Sequence, residues 1–277
     1  MNVLVTGGTG NTGERVVRRL IADDHQVRFL SRKNADNEIV SALINDGAEH
    51  VHGACEDPAF QRAAEGCDAL VAVAHIRHAD QCIGVCRAAG IRRYIQISST
   101  RRFTKFPCES SRLVIAGEDA IVRSDLGYTI LRPTMIHGGR NDGNVSRVQR
   151  WFRKRSWFPI IGDGSNLVQP IHSDDVVQAI ILSLNNSETI RNSYNIAGAH
   201  PITQREFLER IAASVGRRPR LLRVPQRLAL IAATLLPRET RERVRRGTED
   251  KAFPNDETFL KMGFSPRAFL QPTTSGS

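Results

Sequence analysis

Short apolar runs alternate with amphipathic stretches through the first half of the chain. Continuous apolar runs indicate buried strands, whereas apolar residues spaced three or four positions apart are typical of helices. Strands that alternate with helices form parallel sheets covered on both faces, so this half predicts a doubly wound α/β fold with right-handed crossovers. The predicted strands are 3–6, 26–30, 50–52, 69–74, 94–98 and 128–132, and the predicted helices are 13–22, 38–46, 59–65, 79–89 and 111–123.

The alternation changes after Pro133, where a polar loop precedes a basic amphipathic helix over 145–155. The segment 168–171, a helix over 174–184 and a strand over 194–196 predict a return to the sheet. From Thr203 onward we expect helical and basic sequence. We therefore predict a core over 1–140 that about 168–197 completes, a smaller, mainly helical lobe over 141–167 and 198–270, and a disordered tail over 271–277.

The composition of the chain is biased towards basic residues. The 277 residues carry a formal net charge of +10, which favours anionic partners, although arginines on solvated helix faces explain most of it equally well. No run approaches the roughly twenty apolar residues of a membrane span, and the N-terminus lacks the pattern of a secretory signal. We expect a cytoplasmic protein with no metal site and no nucleic-acid partner. Its five cysteines, which fit no metal motif, are expected to be reduced: Cys55, Cys67, Cys82, Cys86 and Cys108.

The most specific motif lies between the first strand and the first helix. Gly7 permits a tight turn, Gly10 lets a diphosphate approach the backbone, and Gly13 lets helix and strand pack closely. The helix N-terminus offers free N–H groups and a partial positive charge to the phosphates. This pattern predicts a Rossmann dinucleotide site whose cofactor contacts are Gly7, Thr9, Gly10, Asn11, Thr12 and Gly13.

The end of the second strand indicates which dinucleotide binds. A carboxylate there would accept a hydrogen bond from the ribose 2′-hydroxyl of NAD, but this chain has Ser31, Arg32 and Lys33 instead. A guanidinium forks onto phosphate oxygens, and a hydroxyl and an ammonium add donors. These three residues favour NADP as the cofactor and leave NAD possible; an ordinary exposed basic turn is the alternative.

Five segments together resemble the atypical and extended short-chain dehydrogenase/reductase family. They are the Thr-Gly-x-x-Gly-x-x-Gly motif, Ile-Ser-Ser-Thr at 97–100, the strand and loop 128–138, Gln-Pro-Ile-His-Ser-Asp-Asp-Val at 169–176, and Gly-Phe-Ser-Pro-Arg at 263–267. The family includes NAD-dependent epimerases and dehydratases, and its atypical members include NmrA-like regulators and an accessory subunit of respiratory complex I. The resemblance implies a Rossmann core with a C-terminal substrate lobe.

The resemblance also implies roles for individual residues. Residues near the nicotinamide and its ribose would be Ala74, His75, Ser98, Pro133 and Ile136. Asp57 falls close to the family's adenine contact, although the usual Gly-Asp pair appears here as Gly53-Ala54. Thr100, with Ser99, matches the hydroxyl residues that steady a substrate oxygen, which makes these two the catalytic candidates, and His137 is a candidate substrate contact.

One departure from the family concerns catalysis. Active members use a Tyr-x-x-x-Lys pair, in which the lysine lowers the pKa of the tyrosine so that its hydroxyl can exchange a proton. Counting back from Glu118, Ser110 occupies the tyrosine position and Val114 the lysine position. We expect no cation near Ser110, so its hydroxyl would be too weak an acid. Lys105, His75 and His137 are other proton-exchanging candidates, with structural or cofactor contacts as the more expected role.

The basic helix over 145–155 supplies a further candidate. Arg147, Arg150 and Lys154 are spaced three and four positions apart and share a face, from which they would hold an anionic substrate such as a nucleotide-sugar diphosphate. Val148, Trp151 and Phe152 would face the core. The alternative is an ordinary amphipathic surface helix.

Two functions remain open. The first is an NAD(P)-dependent epimerase, dehydratase or reductase acting on a carbonyl or nucleotide-sugar substrate. The second is a non-catalytic NADP(H)-binding regulator or accessory subunit with a protein partner, which the missing Tyr-x-x-x-Lys pair favours. Binding of nucleic acid or membrane surfaces through the C-terminal half has only charge behind it, and the sequence leaves the oligomeric state open.

Overall fold

Seven strands form one parallel sheet in the order β11-β6-β5-β4-β1-β2-β3. The computed structural model describes residues 1–139, 142–235, 237–255, 257–261 and 263–270, so the predicted disordered tail lies outside the described residues. The strands are β1 (Asn2–Thr6), β2 (Gln26–Ser31), β3 (Glu49–His52), β4 (Ala69–Ala72), β5 (Arg93–Ile97), β6 (Gly127–Pro133) and β11 (Asn192–Ile196). The order reverses between β1 and β4, as expected for the predicted doubly wound Rossmann sheet, which is confirmed.

Helices cover both faces of the sheet. One face carries α1 (Asn11–Ala22), α2 (Glu38–Asn45) and α7 (Ser173–Asn185), whose apolar residues form one core with the sheet. The other face carries α3 (Pro58–Ala64), α4 (Ala79–Ala89) and α5 (Glu109–Val122), which form a second core. Both faces are buried, which explains why the strands read as continuous apolar runs. The predicted elements of this half are confirmed to within about two residues.

A third apolar core belongs to the smaller lobe. It joins α6 (Val145–Lys154) and α8 (Gln204–Ala213) to two pairs of short strands. One pair is β8 (Trp157–Ile161) with β13 (Arg220–Val224), and the other is β9 (Leu167–Val168) with β12 (Ile202–Thr203). The chain continues into α9 (Gln226–Thr234), α10 (Arg238–Arg246) and α11 (Glu257–Lys261).

The structure corrects the expected return of 168–171 to the main sheet. Val168 pairs antiparallel with Ile202, and Ile171 in β10 (Ile171–His172) pairs with Ile136 in β7 (Ile136–His137). Short segments of this length satisfy their backbone groups with whichever neighbour lies close, so an apolar pattern alone does not choose the partner. The predicted strand near 194–196 does join the sheet, beside β6.

Part of the C-terminal region packs on the sheet. Phe259 is fully buried and stacks on Tyr194 with 4.9 Å between ring centroids, and Phe264 adjoins it. Among the described residues, no helix has both the length and the apolar composition needed to cross a membrane.

Candidate functional site

A cavity of about 630 Å³ opens at the carboxyl ends of β1 to β4, where the strand order reverses. This size is typical of small-molecule and cofactor sites, and open α/β sheets bind their ligands at this position. The predicted residues that line the cavity are Gly7, Thr9, Gly10, Asn11, Thr12, Gly13, Ser31, Arg32, Lys33, Ala74, His75, Ile136 and His137.

The glycine loop has the geometry of a phosphate cradle. Gly7 adopts a φ of +72°, and its carbonyl accepts a hydrogen bond from the Gly10 N–H at 3.0 Å. A Cβ on Gly13 would lie 2.0 Å from the Gly7 oxygen, so only glycine fits there. Gly10 is the N-cap of α1, and no side chain caps this N-terminus. The N–H groups of the first turn are therefore available to a diphosphate, which fits a dinucleotide.

The turn after β7 approaches the cradle. A Cβ on Gly139 would lie 2.5 Å from the side chain of Asn11. Arg15 holds this turn in place because it donates to the Gly138 carbonyl at 2.8 Å and pairs with Asp174. Asp142 accepts a hydrogen bond from the Gly138 N–H at 3.2 Å. The cavity thus has one wall from the sheet and another from the connection that leads into α6.

Basic and polar groups surround the ribose end of the cavity. Arg32 and Lys33 are exposed, and the Ser31 hydroxyl lies 3.3 Å from that of Thr9 and accepts from the Lys33 N–H at 3.1 Å. Sequence reasoning missed four lining residues here: Cys55, Glu56, Arg77 and His78, of which Glu56 has its carboxylate 3.1 Å from the Nδ1 of His78. The rule that ligands sit beyond the carboxyl ends of parallel strands would have pointed to the loops after β3 and β4.

Three predicted cofactor residues, Asp57, Ser98 and Pro133, do not line the cavity, and each has a hydrogen bond to another part of the chain. The Asp57 carboxylate accepts a hydrogen bond from the N–H of Ala54 at 2.7 Å, and Ala54 itself lines the cavity. The Ser98 hydroxyl donates to buried Glu118 at 2.5 Å. The Pro133 carbonyl accepts from the Thr100 hydroxyl at 3.3 Å.

The two predicted catalytic residues, Thr100 and Ser99, also lie outside the cavity lining. The Thr100 proton is directed to Pro133, and the Ser99 oxygen accepts the Arg101 N–H at 3.1 Å. Ser110 differs from expectation, because the Arg101 guanidinium donates to its hydroxyl at 2.5 Å. The expectation of no cation near Ser110 is therefore wrong: the cation comes from the 3₁₀ turn after β5, which folds back onto the start of α5.

Arg101 belongs to a cluster of three cations with Arg246 and Lys251. Burial, followed by the charge of Arg246, lowers the pKa of Lys251 to about 8. Burial and the same neighbour lower the pKa of Arg101. The Arg246 Nε is buried and has no hydrogen-bond partner. Within the described ranges, none of these three cations has a carboxylate within 4.0 Å.

One member of the cluster, Arg101, acts electrostatically on a residue of the cavity. Burial, followed by the charges of Arg77, His78 and Arg101, lowers the pKa of His75, and His75 lines the cavity. Glu249 joins the two lobes beside the cluster, since its carboxylate accepts from the Thr104 hydroxyl at 2.9 Å. Sequence reasoning missed the cluster because its members are far apart along the chain and carry no motif.

His137 is buried between the rings of His172 and Phe269, with centroid distances of 5.2 and 4.8 Å. Burial, followed by the charge of His172, lowers its pKa to about 4. His137 is therefore neutral at pH 7 and serves as a polar, uncharged wall of the cavity.

Protonation of His137 should make the fold sensitive to acid. Its pKa is about 4 in the folded chain and near 6.5 in the unfolded chain, so the unfolded state binds more protons between these values and stability falls as the pH is lowered. Complete titration corresponds to about 3 kcal/mol. We expect His137→Gln to flatten the pH dependence of the unfolding free energy between pH 7 and pH 4 in urea denaturation. His200→Gln, at an exposed position, serves as the control; equal slopes in both variants would contradict the assignment.

The predicted substrate arginines of α6 are exposed and do not line the cavity. Arg147 reaches the edge of the cavity, because its Nη2 lies 3.9 Å from the position of a Cβ on the lining residue Gly143. Arg150 is not among the lining residues. The opposite face of α6 is the apolar one, as predicted: Phe152 is fully buried, and Val148 and Trp151 pack against the lobe core. Among the described residues, no group of three His, Cys, Asp or Glu side chains is able to hold a metal ion.

Comparisons with known proteins agree with this geometry. The chain is 30% identical over 138 residues to an NADH dehydrogenase [ubiquinone] 1 alpha subcomplex subunit 9 of Arabidopsis thaliana, covering 49% of this chain but only 34% of that protein. It is 26% identical over 258 residues to a 2-alkyl-3-oxoalkanoate reductase of Stenotrophomonas maltophilia, covering 78% of this chain and 76% of the relative. The fold matches MoeE5 in complex with UDP-glucose and NAD with a TM-score of 0.76 at 18% identity, over 98% of this chain and 95% of that one.

The family assignment rests on the region that builds the cavity. Residues 7–155 match the family described as NAD(P)H-binding, and this range holds both the glycine loop and the residues after β2. It covers more than half of the chain. The chain therefore belongs to the NAD(P)H-binding family and has the Rossmann fold of the epimerases and dehydratases.

Proposed function

We propose that this protein is an NADP(H)-dependent reductase whose substrate is a carbonyl compound with an anionic group, a nucleotide sugar included. The observation that carries the proposal is the cluster of Arg101, Arg246 and Lys251, of which Arg101 acts electrostatically on the cavity residue His75. Partly buried cations favour the binding of an anion, because burial strengthens their attraction.

The preference for NADP is supported by the ribose end of the cavity. Arg32 and Lys33 follow β2, and Arg77 lines the same cavity from the loop after β4. A 2′-phosphate bound there would meet three cations, and a guanidinium matches phosphate oxygens in geometry. The Glu56 carboxylate, which also lines the cavity, lies 3.1 Å from the ring of His78.

The proposed reaction transfers a hydride from NADPH to the carbonyl carbon, and the oxygen then takes up a proton. The Lys251 ammonium, with a pKa of about 8, is suited to supply that proton. Arg101 and Arg246 would hold the anionic group of the substrate. The relative from Stenotrophomonas maltophilia is named a reductase of an oxo compound, which supports this class of reaction.

Replacement of Arg32 tests the cofactor. Loss of a charged hydrogen bond to phosphate corresponds to about ten- to a hundredfold in affinity. We expect Arg32→Ser to weaken NADPH binding by about that factor in isothermal titration calorimetry and to leave NADH binding nearly unchanged. Arg62→Ser, an exposed arginine on α3, should leave both unchanged. Equal losses for the two dinucleotides would contradict a role in 2′-phosphate recognition.

Replacement of Arg246 tests the substrate. NADPH oxidation is first screened with carbonyl compounds that carry a carboxylate or a phosphate and with nucleotide sugars. For a substrate so found, Arg246→Gln should lower kcat/KM by about ten- to a hundredfold without changing NADPH affinity. Arg245→Gln is the matched control, since Arg245 is the exposed neighbour. An unchanged kcat/KM would remove Arg246 from the substrate site.

A second function has its own supporting observation. The family's tyrosine and lysine positions hold Ser110 and buried Val114, and Ser110 is engaged by Arg101. A protein that only holds NADP(H) for a protein partner needs no proton relay. Tight NADPH binding with no oxidation by any carbonyl compound in the screen would favour this function over the reductase.

A further inference from the structure

The segment 214–237 combines basic charge with exposed apolar side chains. It contains five arginines and no aspartate or glutamate. Four of its large apolar side chains are strongly exposed: Leu222 at 40%, Leu228 at 58%, Ile231 at 63% and Leu235 at 88%. Large exposed apolar patches on a folded protein mark sites of interaction, so this combination needs a physical account.

Helix α9 presents its apolar residues as a stripe. Leu228, Ile231 and Leu235 are spaced by three and four positions and therefore share one face. Ala233 is fully buried on another face of the same helix. The Arg241 guanidinium of α10 donates to the carbonyls of Ala233 at 3.2 Å and Thr234 at 2.6 Å. The helix is thus anchored by its inner side while its largest side chains face outward.

The strand before α9 continues the pattern. In β13 the exposed residues Arg220 and Leu222 alternate with Leu221, which packs against the lobe core. Exposed and less exposed residues also alternate at the start of the partner strand β8. Its first residue, Trp157, pairs with Arg220 and is 41% exposed. Only Pro225 separates β13 from α9. The basic–apolar face, defined as Arg220, Leu222, Arg227, Leu228, Ile231 and Leu235, is therefore continuous along the chain.

We propose that the basic–apolar face docks on the surface of an acidic lipid bilayer. Arginines next to outward-facing aliphatic side chains match an interface where anionic headgroups lie above acyl chains. Arg227 flanks the stripe from a position four residues before Ile231. Tryptophan also favours this interface, because its ring is apolar and its N–H is polar.

The charge distribution favours lipid over other occupants. A second copy of the chain in a twofold dimer would bring the two arginines of the face into the interface twice, with no carboxylate in the segment to offset their repulsion. Nucleic acid would use the arginines but would leave the leucines and the isoleucine in water. An acidic bilayer satisfies both the charges and the apolar stripe.

The proposal is tested by flotation of the full chain with vesicles at 100 mM salt. We expect partitioning onto vesicles of 70% phosphatidylcholine and 30% phosphatidylglycerol, little onto phosphatidylcholine alone, and release in high salt. Both tryptophans of the chain, Trp151 and Trp157, lie in this lobe, so their fluorescence should shift to the blue on binding. No partitioning, or equal partitioning onto neutral vesicles, would overturn the proposal.

Substitutions in the basic–apolar face test whether this face is the part of the chain that binds the vesicles. Ile231→Asp combined with Leu235→Asp should weaken partitioning at least tenfold. Glutamine at both Arg220 and Arg227 should weaken it to a similar extent. Ile44→Asp, a 40% exposed isoleucine on α2, and glutamine at both exposed Arg62 and Arg112 are the matched controls. Retained partitioning in the face variants refutes the proposal. So does a lipid-free dimer that Ile231→Asp dissociates, since the face would then bind a second copy.

Discussion

Glu118→Ala should lower the free energy of unfolding by about 3–5 kcal/mol, because it removes the carboxylate of a buried ionic network. Glu118 is completely buried. Arg132 donates to it from Nε at 2.9 Å and from Nη2 at 2.7 Å, and Arg102 donates at 2.9 Å. The Ser98 hydroxyl donates to it at 2.5 Å. Removal of the carboxylate leaves the half-buried Arg132 guanidinium without its counter-charge.

The measurement is urea denaturation followed by circular dichroism. Asp119→Asn is the matched control: this neighbouring carboxylate is 46% exposed and 3.7 Å from Arg102, so its loss should cost no more than about 1 kcal/mol. Glu118→Gln keeps the shape and part of the hydrogen bonding and should fall between the two. A loss below about 1 kcal/mol for Glu118→Ala would show that the network does not hold α5 to the sheet.

Gly13→Ala should abolish measurable dinucleotide binding, with a loss of at least a hundredfold in affinity. The added Cβ would lie 2.0 Å from the Gly7 oxygen and 3.0 Å from the Gly8 Cα, so the first turn of α1 has to move away from the glycine loop. The N–H groups of that turn are the proposed diphosphate ligands, and even a small displacement separates them from the phosphate oxygens.

Calorimetric titration with NADPH and with NADH measures this loss. Gly84→Ala on α4 is the control, because a Cβ there meets nothing within 4 Å. Alanine also favours the helix, so this variant should be slightly stabilised and bind normally. Normal binding by Gly13→Ala would show that the diphosphate does not lie on the N-terminus of α1.

The sheet and the cofactor cavity could be predicted from sequence because both depend on local patterns. The apolar runs and the glycine loop are contiguous, and the residues after β2 follow directly from where that strand ends. The strands β8 and β13 escaped prediction because each leaves one face to solvent, with Pro159 in the first and arginines in the second. Their mixed composition hides the alternation of buried and exposed positions.

The contact between Arg101 and Ser110 could not be predicted, because it depends on how the turn after β5 returns to α5. Arg246 and Lys251 were missed for a related reason: their proximity to Arg101 arises only when the distant C-terminal segment packs between the lobes. Spacing along the chain carries no information about such a contact. The exposure of the α9 stripe likewise requires knowing which side of the helix meets α10.

The two halves of the site come from different parts of the chain. Every residue that lines the cavity precedes position 174, whereas two of the three cations follow position 245. A ribosome therefore synthesises the residues that line the nucleotide pocket long before the two cations that we propose select the substrate. Exchange of the residues that follow β11 between relatives would change the substrate groups and keep the residues that line the cofactor cavity, which is how one such module can serve many reactions.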